Sequence, residues 1–179
     1  MPWGALAAGC YDRAMLRTML LGRRGTLALA ALAALALTTL GCETTECTEM
    51  GCVSSFAVTF AHAGAWEAGS YRVTVTVDGG APVACTVTLP LDCNAPSPCP
   101  NGTPFYISTE GCALDPAQHV LGGVDFWGVT PASVAVSVHR EGVLLGEGSY
   151  SPNYTTSQPN GPDCEPTCKN APSAELSLL

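Results

Sequence analysis

Cysteine is the residue of this chain best placed to do chemistry, and there are 10 of them. Eight, Cys47, Cys52, Cys85, Cys93, Cys99, Cys112, Cys164 and Cys168, are spread over the last three quarters of the sequence. An even set of this kind in an exported chain reads as four disulfides. Two of its spacings, Cys47-x4-Cys52 and Cys164-x3-Cys168, would also serve as zinc half-sites, because structural zinc takes cysteines a few residues apart. An oxidising compartment turns such thiols into disulfides, so no metal is expected. Neither pair has the Cys-x-x-Cys spacing of a redox catalyst, and Pro166 disfavours the helix such a motif opens.

The other reactive side chains are scattered. His62, His119 and His139 sit in separate segments, and no serine is marked out as a partner for any of them. There is no Gly-x-Ser-x-Gly elbow, no His-Glu-x-x-His, no phosphate-cradling glycine loop and no acidic calcium loop. No catalytic residue, cofactor or enzymatic activity is therefore expected. Asp115 and His119 are four apart, so on one helical turn they would share a face, and with Asp125 they could hold a cation. A surface turn is the plainer reading. Trp66, Phe126 and Trp127 are candidates for a sugar- or peptide-binding patch, although aromatic residues beside strands commonly fill a core. Asn101-Gly102-Thr103 and Asn153-Tyr154-Thr155 match the glycosylation pattern, which matters only on a eukaryotic secretory route.

The elements that must position these residues read as strands. Phe56, Val58 and Phe60 alternate with Ala57, Thr59 and Ala61, and Tyr71, Val73, Val75 and Val77 alternate with Arg72, Thr74 and Thr76. Period two in β-branched residues is the mark of a half-buried strand. Asp78-Gly79-Gly80 supplies a turn into Val83, Cys85, Val87 and Leu89, which makes a hairpin. Phe105–Ser108 and Val124–Val129 are further strand candidates, and 110–123 is irregular with one helical turn near Asp115–His119. Val134, Val136 and Val138 lead through a tight Glu141-Gly142 turn into Val143–Leu145, with Gly146 and Gly148 predicting a bulge or twist before Tyr150. Ser151–Asn170 reads as one long loop, and Ala174–Leu179 as the last strand. Seven or so short strands between Gly/Pro turns give an all-β chain, a single antiparallel β-sandwich.

The stretch before this domain addresses it. Arg23 and Arg24 form a positive region, Thr26–Leu40 is an uncharged, mostly apolar run of 15 residues, and Gly41 is a small residue at the cleavage position. These are the parts of a secretory signal peptide. As a helix the run spans about 22 Å, short of the roughly 30 Å hydrocarbon core. Residues 1–18 fit no part of a signal, so the true start is expected at Met15 or Met19, and Cys10 then has no extracytoplasmic role. The organisation is a signal peptide at 1–41, a tether at 42–52 and a β-domain at 53–179. Thr39-Leu40-Gly41-Cys42 resembles the lipobox of bacterial lipoproteins, with Thr39 where that family usually carries Leu. The resemblance implies that Cys42 is acylated, as with palmitate, and becomes the mature N-terminus. The protein is then held on the outer membrane or cell surface through that lipid.

Removing residues 1–41 takes away Arg13, Arg17, Arg23, Arg24 and only one acid, Asp12, which leaves 14 acids against Arg72, Arg140 and Lys169. So acidic a chain repels nucleic acid and suits cationic partners, bulk cations included.

The run Gly69-Ser70-Tyr71-Arg72-Val73-Thr74-Val75 resembles the Gly-x-Tyr-x-Val-x-Val strand opening of immunoglobulin-like and prealbumin-like bacterial domains. The whole chain is also similar to small Cys-rich lipoproteins of Gram-negative bacteria. In an immunoglobulin-like sandwich the first and last strands can lie side by side and parallel. That would join Cys52 to Cys168 and Cys47 to Cys164, the alternative being local pairs Cys47–Cys52 and Cys164–Cys168. Cys93 and Cys99 bracket a short loop and are expected to pair, leaving Cys85 for Cys112. The function expected is that of a lipid-anchored binding or structural domain with an unknown protein or glycan partner. The alternatives are an exported enzyme with a loop-assembled site and a released Cys-rich ligand or inhibitor.

Overall fold

The computed structural model describes residues 46–179. The signal peptide and its helix, the start codon, Cys10 and the acylation site Cys42 lie outside the described residues. The rest forms ten strands: β1 (Ser55–His62), β2 (Gly69–Val77), β3 (Val83–Leu89), β4 (Tyr106–Glu110), β5 (Val120–Trp127), β6 (Val134–Arg140), β7 (Val143–Tyr150), β8 (Thr155–Ser157), β9 (Cys168–Asn170) and β10 (Ala174–Leu178). Its only helical element among the described residues is a 3-10 turn, Pro116–Gln118, capped by Asp115 Oδ1 accepting from the Ala117 N–H at 3.0 Å. That turn stands where the sequence predicts one.

Two sheets share one hydrophobic core, a β-sandwich-like arrangement. The smaller has the order β3-β2-β6-β7, all antiparallel. The larger runs β4-β5-β1-β9-β8, with β10 also paired to β1. It corrects the all-antiparallel expectation: β10 lies parallel to β1, with Val58 opposite Ala174 and His62 opposite Leu178, and β9 continues the same parallel line at Ser55–Asn170. First and last strands thus run side by side in one direction.

Alternation decides what is buried. Tyr71, Val73 and Val75 of β2 and Cys85, Val87 and Leu89 of β3 point into the core, facing Val58 and Phe56 of β1, Val124 and Phe126 of β5 and Leu176 of β10. Val77 and Val83, at the hairpin end, are half-buried. The β6–β7 turn takes positive φ at both Glu141 (47°) and Gly142 (84°), the backbone of a two-residue hairpin turn whose twist matches its strands. The expected irregularity in β7 is real: pairing with β6 shifts between Val138 and His139, so Leu145 is the extra residue. Gly146 beside it has a separate reason to lack a side chain, since a Cβ there would stand 2.6 Å from the Ser177 carbonyl oxygen of β10.

Three stretches differ from expectation. β5 begins at Val120, four residues early, because β4 supplies a partner as far as Val120 across a bulge at Ser108/Thr109. Phe105 precedes its strand and is buried. The long loop 151–170 contains β8 and β9, each of three residues, paired to one another and joined to the main sheet through β1.

Four disulfides staple this frame. Cys47–Cys164 and Cys52–Cys168 close the N-terminal segment onto the line of β9, as the parallel first and last strands require. The other two exchange the expected partners: Cys85 pairs with Cys99 and Cys93 with Cys112. The cause is the path of the 90–104 loop. It folds back along the outer edge of β3, where the Pro98 carbonyl accepts the Thr86 N–H, and this sets Cys99 beside the inward-facing Cys85 at a Cα separation of 4.5 Å. The four cysteines of the two zinc half-sites are all consumed by these bonds. Such a set belongs to an oxidising, extracytoplasmic compartment.

Candidate functional site

The exposed aromatic chemistry gathers on the outer face of the larger sheet. β4 and β5 place Tyr106 directly opposite Asp125, and Trp127 follows Asp125 by two residues, so all three project from one face. Directly opposed Cβ atoms lie about 5 Å apart and diagonal ones about 7–8 Å. Trp127 is 64 % exposed and Tyr106 41 %. On the next strand Ser55 and Ala57 face Trp127 and Asp125 in register, so small side chains leave the indole uncovered. Loss of water around the phenol raises the Tyr106 pKa and the Asp125 carboxylate raises it further. The polar edge of the Trp127 side chain draws it part of the way back.

The expected aromatic set is not the one that assembles. Phe126 is fully buried, stacked on Phe56 with ring centroids 5.9 Å apart, because one residue's step along a strand reverses the face. Trp66 packs against the core instead, stacked on His62 at 4.8 Å and edge-on to Tyr71 at 5.3 Å. His62 ends β1 whereas Trp127 pairs with Ser55 at its start, so the two tryptophans lie at opposite ends of that strand, about 20 Å apart at the strand rise. Of the three, Trp127 alone is at the outer face, and its partners there, Tyr106 and Asp125, are set by a strand register that chain proximity does not reveal.

Nor do Asp115, His119 and Asp125 converge. Asp115 is a turn cap, Asp125 belongs to the outer face, and His119 is 6 % exposed with its Nδ1 accepting the Leu91 N–H at 2.9 Å. His62 Nδ1 contacts the Gly64 carbonyl, and His139 lies on the smaller sheet with Nδ1 buried and unpartnered, so the histidines remain apart. The outer face of that smaller sheet is polar, with Arg72 between Thr86 and His139 in register and Thr74 beside Ser137. At the open edge between the sheets a groove of about 430 Å³ runs under the 92–98 loop, lined by Leu91, Pro96, Pro98, Ile107 and the Cys93–Cys112 bridge.

Electrostatically the domain is one-sided. Residues 46–179 carry 13 acids and three bases. The one ion pair among the described residues joins Arg140 to Glu67. A feature the sequence did not mark is Asn160, a buried amide in the long loop. It accepts from the Met50 N–H at 2.8 Å and donates to the Met50 carbonyl at 3.0 Å, as a neighbouring strand's peptide group would, so it pins the N-terminal segment beside the two clasping disulfides. No protein family, curated protein or solved structure matches this chain.

Proposed function

We propose that the protein is a lipid-anchored binding domain of the cell envelope, displayed on the outer membrane or cell surface through an acylated Cys42, with no catalytic role. The observation that carries the reading is the exposed Tyr106–Trp127 pair set around Asp125 on the larger sheet of a disulfide-stapled domain. Trp and Tyr are enriched among the residues that dominate binding energy in protein interfaces. The clasp supports the anchoring half of the proposal, since Cys47 and Cys52 fasten the chain to the domain within ten residues of the proposed lipid. An immunoglobulin-like relationship is part of the proposal. Tyr71 near the start of β2 donates to the Glu67 carbonyl four residues upstream at 2.8 Å, which has the form of the tyrosine corner of such sandwiches.

The test is the intact mass and membrane partition of the native protein beside its Cys42→Ser variant. The expected native species starts at Cys42, carries acyl mass, lacks eight thiol hydrogens and stays with membranes. The variant is expected unprocessed or released. Equal masses and equal partition of the two would refute the anchor.

A further inference from the structure

The outer face of the larger sheet sets a carboxylate beside an exposed indole. The Ser55 hydroxyl donates to Asn170 Oδ1 at 2.9 Å, and the Thr59 hydroxyl donates to the Ala174 carbonyl at 3.1 Å. What faces outward is a carboxylate, Asp125, with no Lys or Arg in ion-pair contact, and the π-surface of a largely exposed indole. Glu175, opposite Thr59 on β10, adds a second carboxylate to the same sheet. Guanidinium offers five donors and no acceptor, forks onto a carboxylate and lies flat on an aromatic ring. An excess of ten acids over bases in residues 46–179 raises the local concentration of any cation.

We infer that the Tyr106–Asp125–Trp127 face binds an arginine side chain of a partner polypeptide, the guanidinium stacked on the Trp127 indole and hydrogen-bonded to the Asp125 carboxylate. This rests on the reading of the protein as a binding domain and names the chemistry of its ligand. Separation by two residues along β5 puts the carboxylate and the indole about 7 Å apart at their Cα atoms, within the span of one guanidinium and its stem. The cation–π contact requires the charge within about 6 Å of the ring centroid.

The test uses the full-length oxidised protein, with the indole N–H resonance of Trp127 assigned through Trp127→Phe. The probes are acetyl-Arg-Arg-Arg-amide, acetyl-Glu-Glu-Glu-amide and N-acetylglucosamine hexamer. The arginine peptide is expected to shift the Trp127 resonance saturably and the glutamate peptide to leave it in place. Affinity should fall several-fold between low and physiological salt, because the site is exposed. Asp125→Asn should weaken binding about tenfold or more, since it removes the charged acceptor. Trp127→Ala, followed at the Asp125 backbone amide because the reporter indole is gone, should abolish binding with an unchanged melting temperature, its side chain being outside the core. Glu147→Gln on the smaller sheet should change nothing, which separates a site from general acidity. Undiminished arginine binding in Asp125→Asn would overturn the inference. A shift with the hexamer and none with the arginine peptide would overturn the cationic ligand but leave this face as the binding surface. No shift with either would remove both.

Discussion

The two clasping disulfides should act as one device, and their removal should be far from additive. Each joins residues more than a hundred apart, with separations of 117 and 116. In the chain-entropy treatment, closing the first such loop in the unfolded chain is worth about 4.9 kcal/mol. Once one bridge exists, the second closes only the small ring through residues 47–52 and 164–168. A ring of about nine residues is worth about 2.6 kcal/mol by the same relation. The inner bridges Cys85–Cys99 and Cys93–Cys112 shorten the long loop, but the dependence is logarithmic and the correction is only about 0.2 kcal/mol. Replacing both members of either bridge with Ala should therefore cost about 2.6 kcal/mol, and replacing both bridges about 7.5 kcal/mol, roughly 2.3 kcal/mol more than the sum of the singles. A loss of that size is comparable to the whole stability of an ordinary domain, about 5–15 kcal/mol, so the double replacement should be marginal or unfolded. Equilibrium urea unfolding of the native protein, the two paired variants and their combination measures all four corners. Additive losses would refute the reasoning, because they would mean that the bridges do not restrict the same freedom.

Other consequences can be checked singly. Val75→Ala, in the core-facing row of β2, should cost about 1–3 kcal/mol in urea unfolding through lost burial and a small cavity. His119→Leu should lower stability by about 1–3 kcal/mol for the orphaned Leu91 N–H alone, and loss of slow hydrogen exchange at Leu91 would report it. Asn160→Ala should speed hydrogen exchange at Met50 and leave the Val73 and Val138 amides protected; unchanged exchange at Met50 would show that the amide does not hold that segment. Burial raises the phenol pKa values of Tyr71, Tyr150 and Tyr154 above 10.0, so the folded state holds those protons more tightly than the unfolded chain does. The stability they contribute is complete below pH about 10 and is lost as pH climbs through the raised values, so the urea midpoint should fall above pH 10. A midpoint that rises there would contradict the assignment.

What the sequence discloses is what local chemistry controls. β2 and β3 are legible because β-branched residues alternate at period two, and the Glu141-Gly142 turn because its glycine takes positive φ freely between two apolar runs. The resemblance to immunoglobulin-like sandwiches implies parallel first and last strands, and Cys47–Cys164 and Cys52–Cys168 pair as that arrangement allows. Loops hide more. Cys93 and Cys99 are close in sequence, yet the loop between them lies along β3 and delivers Cys99 to Cys85 instead. β8 and β9 escape because three residues carry no readable period and their pairing is with distant chain. The site shows the same division. Trp127 was a candidate from its type, but Tyr106 and Asp125 join it through the register of β4 against β5, a non-local fact. Phe126, one residue before Trp127, turns to the opposite face and enters the core.

The parallel seam between β1 and β10 has a mechanical meaning. A pull on the chain ahead of residue 46 meets Cys47 first, and the sulfur bridge passes part of it to Cys164. At Cys52 the remainder divides again with Cys168. Tension that would otherwise unzip β1 from β5 one rung at a time is delivered to two adjacent strands running the same way, which must slide together or not at all. Hydrogen-bond rows strained collectively along the strand resist far more force than rows opened in turn.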